Sequence, residues 1–492
     1  MIAALVLVPA GAGGLALVLR SDALRRVLLV AAAFAHLGLV AAAWRTAVRG
    51  PGGGWLGLDP AGVLVLGVAS VLFSVAAVYA VGYLAREALA GGEGGAGKGR
   101  AWPGREALFT ACLLFFLATM TLVAVSQNLG VLWVAVEATT LASAPLIFFH
   151  RHHRSLEATW KYLLICSVGI AVALLGNFFL ALATAGPGST PGSGSLVVSR
   201  LVADAAGLHV RWLRAAFVLL LVGYGTKMGL APLHTWLPDA HAEAPSMVSA
   251  LLSGALLNCA FLGILRAYQV VSAAGETRFA GGLLVDMGLF SMALAAVFIV
   301  AQPDYKRLLA YSSVEHMGIL AVGVGLGGGA VFGAMLHLVN HSLAKGMLFL
   351  VAGNLLAAYR STATARVRGA GAVLPVTGAL WVAGLLAITG TPPFGPFLSE
   401  LTILKGAVDG HRPVVTGLFL LFLASAFVGM ARPMLAMVQA GPPEDLQPGA
   451  RDRWLSVVPP ALLGLAVLAL GVWLPPWLGG VLHAAARMVG GG

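Results

Sequence analysis

Of the 492 residues, 59% are hydrophobic and 10% charged, and the mean hydropathy is +0.92. Water-soluble chains carry about 25% charged residues, so this composition excludes a soluble globular protein and implies a polytopic membrane protein. The net charge of +11 is then read as cationic loops that orient the chain in a bilayer, not as a nucleic-acid footprint.

A helix needs about 20 apolar residues to cross the hydrocarbon. Fourteen segments qualify, at roughly 1–19, 27–44, 61–85, 107–126, 130–149, 160–183, 213–231, 246–265, 281–301, 308–326, 329–352, 374–408 (interrupted), 413–438 and 455–476. The expected fold class is therefore an all-α polytopic membrane protein. Met1 leads straight into an apolar run, so the first segment is read as a span and not as a cleaved signal. Residues 91–100 and 185–195 are Gly-, Ser- and Pro-rich loops, and the tail from Pro475 to Gly492 is expected to lie at the membrane interface. Cys112, Cys166 and Cys259 stand far apart in apolar runs, so no zinc, iron–sulfur or disulfide framework is expected.

Lys and Arg sort unevenly over this layout, 17 on one side of the membrane against 9 on the other. The richer side is expected to be cytoplasmic, which puts both termini outside. Four cations remain within spans: Lys161, Lys227, Lys345 and Lys405. Ionisable groups at that depth are costly and mark function by default. Glu137, Asp286, Glu315, Glu400, His316, His337 and His341 join them.

Glu137 lies midway along the fifth span and Lys227 in the seventh, five residues before Pro232. Proline breaks a helix, and broken helices at membrane depth line cavities. A Glu–Lys pair there can hold a proton on one partner and release it when the other's surroundings change. The plainer reading is a static pair joining two helices. His337, His341 and Lys345 recur at i, i+4 and i+8, on one helix face. They can form a proton relay, since His titrates near neutral pH. Metal binding is the lesser alternative, because no cysteine or carboxylate shares that face; polar packing between helices is the bland one.

Glu400 follows the Pro392–Pro393 break in the twelfth span and is the natural far end of a relay, with Lys405 either neutralising it or snorkelling to the interface. Lys161 follows Glu157 by four residues, which reads first as a helix-surface pair. Glu315, His316 and Asp286 lie near expected helix starts and carry weaker signals. Glu137 and Glu315 are 178 residues apart, as are Lys227 and Lys405, a hint of internal repetition.

The stretch from Gly223 to Arg266, GYGTKMGLAPLHTWLPDAHAEAPSMVSALLSGALLNCAFLGILR, with WVAVEATTL, HSLAKGMLFL and GTPPFGPFLSEL, resembles the antiporter-like subunit family over about residues 60–435. That family includes the large proton-pumping membrane subunits of complex I and the multisubunit cation/proton antiporters. The LLSGALLN and PPFGPFLSE wording is most similar to its hydrogenase-4 component F branch, from membrane-bound nickel–iron hydrogenases.

The resemblance implies about fourteen transmembrane helices, with two inverted five-helix repeats whose seventh and twelfth helices are broken. The chain then divides into residues 1–106 (first three helices), 107–268 (first repeat), 281–438 (second repeat) and 439–492 (last helix and tail). It also implies a proton path in which Glu137 and Lys227 form the input pair, His337, His341 and Lys345 the centre, and Glu400 the output, with Lys161 matching a lysine at the start of the sixth helix. His234, Ser253, Asn258 and Lys405 are expected to support or bridge that path through water. Relatives usually place Lys or His in the eighth helix, where Ser253 and Asn258 stand here.

The implied role is a membrane-arm subunit moving protons, or exchanging them for Na+, in a bacterial or archaeal plasma membrane. The chain itself offers no cofactor site, nucleotide loop or nucleophile triad; nickel–iron and iron–sulfur centres or quinone are expected in partner subunits only. The alternatives are a subunit of a Na+/H+ antiporter without a redox partner and a non-pumping structural subunit.

Overall fold

The computed structural model describes residues 1–47, 54–93, 105–185, 195–439, 441 and 451–490, and most of both glycine-rich loops lies outside them. Among the described residues the ordered elements are helices, joined by a few isolated β-bridges. The spans are α1 (Ile2–Val18), α2 (Asp22–Ala47), α3 (Pro60–Glu93), α4 (Arg105–Val125), α5 (Leu129–Ile147), α6 (His153–Thr184), α7a (Val210–Met228) and α7b (Trp236–Glu243). They continue as α8 (Ser246–Ala273), α9 (Thr277–Val300), α10 (Tyr305–Leu326), α11 (Gly329–Tyr359), α12a (Pro375–Ile388), α12b (Gly395–Asp409), α13 (Pro413–Gln439) and α14 (Trp454–Val472). Among the described residues, eleven helices are long and apolar enough to cross a membrane alone. With the short α1 and the two broken helices, each of the fourteen expected segments holds a helix.

Local chemistry sets the ends. Asn128 opens α5 by accepting from the Gly130 and Val131 amides at 2.8 and 3.2 Å, and Asp304 opens α10 by accepting from Lys306 and Arg307 at 2.9 Å. Gly229 ends α7a at φ 83, the left-handed conformation that glycine adopts without a Cβ clash. The tail forms a further helix. Pro476–Met488 (α15) is a helix that buries Leu478, Val481, Leu482 and Ala485 and packs on α3 and α11.

α3, α8, α10 and α11 form an inner layer, while the outer helices turn apolar side chains outward, such as Leu141 on α5, Val168 on α6, Val297 on α9 and Val428 on α13. This polarity suits lipid, which solvates apolar surface that water would not. α9 and α10 approach through Gly288 and Gly318, where an added Cβ would stand within 2.7 Å of the facing carbonyl. At the end of α4, fully buried Arg266 of α8 donates to the carbonyls of Val123 (3.2 Å), Ala124 (2.9 Å) and Ser126, and meets Asp59 at 3.3 Å. That brace ties α3, α4 and α8 by satisfying carbonyls a helix end leaves unpaired.

Candidate functional site

The broken seventh helix positions the first group. Pro232 cannot donate a backbone hydrogen bond; the Trp236 indole donates across the break to the Thr226 carbonyl at 2.8 Å. Lys227 therefore sits in the last turn of α7a, where the negative end of the helix dipole favours a cation. Its buried ammonium donates to Thr140 Oγ1 at 2.8 Å and to the Tyr162 hydroxyl at 2.6 Å, and lies 4.4 Å from the Tyr162 ring centre. Tyr162 is joined to Ser143 at 2.6 Å. Glu137 accepts from Ser167 at 2.7 Å and from Thr140 at 3.4 Å. The expected Glu137–Lys227 pair is thus indirect, with Thr140 between them.

α8 carries a π-helical turn at Leu252–Leu256, a device that widens a helix and re-aims its side chains. There Ser253 hydrogen-bonds Ser313 of α10 at 2.8 Å, and Asn258 donates to Ser342 of α11 at 2.8 Å. Ser313 adjoins Ser312, whose hydroxyl accepts from Lys345 at 2.8 Å; Lys345 also donates to the Leu309 carbonyl at 2.7 Å. The neutral positions of α8 are therefore linked by hydrogen bonds to the neighbourhood of Lys345.

Beyond Lys345, the rings of His316 of α10 and of His337 and His341 form a triangle, with His316 5.0 and 5.1 Å from the other two ring centres and those two 6.4 Å apart. His316 Nδ1 meets His337 Nε2 at 2.9 Å, and His337 Nδ1 meets Ser399 Oγ at 2.9 Å. Both His341 nitrogens and Glu400 Oε1 are buried without a partner among the described residues. Gly390, at φ 62 just past α12a, lets the Glu400 carboxylate pack where a side chain would otherwise stand. His337 and His341 thus share a face of α11 as expected, and His316 of α10 joins them from the neighbouring helix. Glu315 and His316, read as weak signals near a helix start, are buried at 3% and 1% exposure.

Glu400, His316 and His337 present ligand atoms within 4.8 Å of one another, so a carboxylate does reach this group, from α12b. The histidine nitrogens already engage each other, which favours proton over metal chemistry at this spot.

Other expected residues lie elsewhere. Lys161 is about half exposed and bridges Glu157 at 2.7 Å and Asp239 at 3.0 Å; Arg307 also pairs with Asp239. A cavity of about 890 Å³ opens there, lined by Glu157, Lys161, Asp239, Glu243, Lys306 and Arg307. Lys405 is exposed and pairs with Asp409, so it does not neutralise Glu400. The 178-residue offset thus matches a buried lysine with a surface one. His234 lies in the α7 break, tilted against Tyr311 at 6.2 Å. Asp286 is the tenth residue of α9 and faces outward, not near the helix start. Lys306, counted as an orienting loop cation, is buried and caps α7b through the Ala242 and Ala244 carbonyls at 2.9 and 2.6 Å.

The hydroxyls of Thr140, Tyr162, Ser312, Ser313 and Ser399 were not singled out from sequence. The usable signal was proximity, since Thr140 is three residues from Glu137 and Ser399 adjoins Glu400.

Residues 126–427 match the family described as NADH:quinone oxidoreductase/Mrp antiporter, transmembrane. A hydrogenase-4 component F homolog from Methylacidiphilum infernorum is 40% identical over 358 residues, covering 73% of this chain and 74% of its own. Among solved structures, a chain of the Mrp complex from Dietzia sp. superposes with a TM-score of 0.86 at 20% identity, covering 99% of this chain and 97% of its own. A chain of respiratory complex I from Thermus thermophilus superposes with a TM-score of 0.82 at 23% identity, covering both chains fully (100%). These relatives belong to multisubunit hydrogenase, Mrp and complex I assemblies. The eleven membrane-length helices among the described residues, the two broken helices and these matches together identify the chain as a membrane subunit of the NADH:quinone oxidoreductase/Mrp antiporter family.

Proposed function

We propose that this chain is a membrane-arm subunit of a respiratory hydrogenase or complex I-like assembly that carries protons across the plasma membrane. The observation that carries the reading is a band of ionisable and hydroxyl groups from half-buried Glu137 through buried Thr140 and Lys227, across Ser253–Ser313 and Ser312, to Lys345, His316–His337 and Glu400. Ionisable groups inside a membrane are costly and mark function by default, and these ones, unlike the Arg266–Asp59 brace, cluster with hydroxyls and imidazoles that can pass a proton. His341 flanks the band by stacking on His316, and Asn258, with its Oδ1 unpartnered, offers a site for bridging water. Lys161 gathers protons at the cavity mouth, beside Glu157 and Asp239, and His234 in the α7 break is a further proton-bearing group of the path. Redox centres, nickel–iron, iron–sulfur or quinone, belong to partner subunits, which drive the path by conformational and electrostatic coupling. The 107–268 and 281–438 segments act as two half-channels, and the Lys/Arg-rich side faces the cytoplasm with both termini outside.

Na+/H+ exchange without a redox partner is the second reading, favoured by the 99% overlay on an Mrp subunit. The test is proton uptake into sealed vesicles holding the intact assembly, wild type against Lys227→Ala, with assembly checked on native gels. Loss of uptake in the variant supports a path through this chain. Unaltered uptake and turnover in an assembled variant would leave the chain a structural spacer. A Na+ requirement for uptake selects the exchange reading.

A further inference from the structure

The histidine pair at the α12 break has a definite hydrogen-bond arithmetic. Each neutral imidazole has one N–H and one bare nitrogen. His316 Nδ1 faces His337 Nε2, the Ile388 backbone carbonyl is a further acceptor for His316, and His337 Nδ1 faces Ser399 Oγ. Ser399 Oγ also lies 2.9 Å from the Pro396 carbonyl. Its single proton therefore has two destinations.

Two complete patterns fit these contacts, and they differ by one proton. With both rings neutral, Ser399 donates to His337 Nδ1, His337 Nε2–H donates to His316 Nδ1, and His316 donates to Ile388. With one proton added, His316 donates from both nitrogens, to His337 Nε2 and to Ile388. His337 then carries its proton on Nδ1 and donates to Ser399, whose hydroxyl turns to the Pro396 carbonyl. The two rings and the Ser399 hydroxyl keep hydrogen-bond partners in both patterns, which is how a buried polar network avoids a heavy penalty.

We propose that the His316–His337 pair stores one proton, and that Ser399 is a positioning residue whose hydroxyl reverses between His337 Nδ1 and the Pro396 carbonyl as that proton arrives and leaves. This deepens the transport reading above and rests on it for its purpose, though not for its geometry. The proton forms an N–H bond at one ring, coming from an adjacent acid or water; no electrons change hands. Glu400 of α12b supplies the counter-charge, with ligand atoms of all three side chains within 4.8 Å. His341 and Lys345 of α11 also face the pair, and Glu315 of α10 acts on Glu400; together they set the charge balance. Ile388 closes α12a and Ser399 lies in α12b, so both halves of the broken helix contact the stored proton.

The test has a spectroscopic arm and a transport arm. In bilayers holding the full chain with ring-¹⁵N histidine, the difference between wild type and His337→Gln isolates the His337 resonances. The expected result is Nε2–H at high pH and Nδ1–H at low pH, switching together with charging of His316. A His337 tautomer that stays fixed across the titration overturns the proposal, whether or not the chain transports. In vesicles, Ser399→Ala removes the acceptor for His337 Nδ1–H in the protonated pattern and the donor to His337 Nδ1 in the neutral one. In the protonated pattern that N–H is polarised by the charged His316 ring at the other end of the chain, so its bond is the costlier to lose, and the pH midpoint of uptake is expected to fall by about one unit. Ser399→Thr is expected to restore it, and Ser399→Ala is expected to add nothing in a His337→Gln background. An unshifted midpoint in assembled Ser399→Ala, or an equal shift without His337, overturns the role of Ser399. Absence of wild-type uptake would instead count against the transport reading, with the tautomer result standing apart.

Discussion

Lys227 reaches Glu137 only through Thr140, whose hydroxyl accepts from the ammonium at 2.8 Å and lies 3.4 Å from the carboxylate. A neutral hydroxyl thus sets how strongly the two charges feel each other. Thr140→Val keeps the side-chain volume and removes that link. Proton uptake is expected to fall by about tenfold, the value of one charge-assisted hydrogen bond, while Thr140→Ser stays near wild type. Vesicle uptake rates at fixed pH check this.

Arg266 and Asp59 make a different kind of pair, fully buried and away from the proposed path. Removing one partner strands the other in a dry interior. Arg266→Ala is expected to lose about 3–5 kcal/mol of stability, read as a lower thermal midpoint of the detergent-extracted chain. Arg266→Lys is expected to recover little, because one ammonium cannot serve three carbonyls and a carboxylate at once.

Lys161 should behave oppositely. Its partners Glu157 and Asp239 lie at the edge of an open cavity, within reach of salt. Lys161→Gln is expected to leave thermal stability unchanged and to slow uptake at low ionic strength. That defect should fade toward 1 M salt, where the screening length is about 3 Å. The Lys227→Ala defect should persist, since the ammonium is fully buried. Uptake measured across a salt series separates the two.

Gly390 holds a left-handed backbone beside the Glu400 carboxylate. Gly390→Ala would place a methyl group on that carboxylate and strain the backbone by about 1–2 kcal/mol. Uptake is expected to drop severely with a modest loss of thermal stability. Gly282→Ala is the control, because nothing stands within 4 Å of its Cβ position; it should leave both readouts near wild type.

Much of this architecture was legible from patterning. Apolar run length located the helices, since a bilayer imposes one length on every span, and Pro232 and Pro392–Pro393 marked both breaks. Buried lysines were legible in the same way at Lys227 and Lys345, but not at Lys306. A lysine at a span's edge can turn either to water or inward to a helix end, and only the position of the Ala242 and Ala244 carbonyls decides. Lys405 is the converse, lying within an apolar run yet turned outward to Asp409. His316 was less legible, because periodicity along α11 carries no information about which residue of α10 packs against His337 and His341. Interhelical partners depend on packing register, which a single helix does not encode.

α10 has one more consequence. Near its start Lys306 grips the end of α7b, and ten residues later His316 meets His337 and the Ile388 carbonyl of α12a. Those two grips are about 15 Å apart on one continuous helix, packed too tightly to bend between them. α10 is thus one rod shared by both fractured helices, with an ammonium at one end and an imidazole at the other.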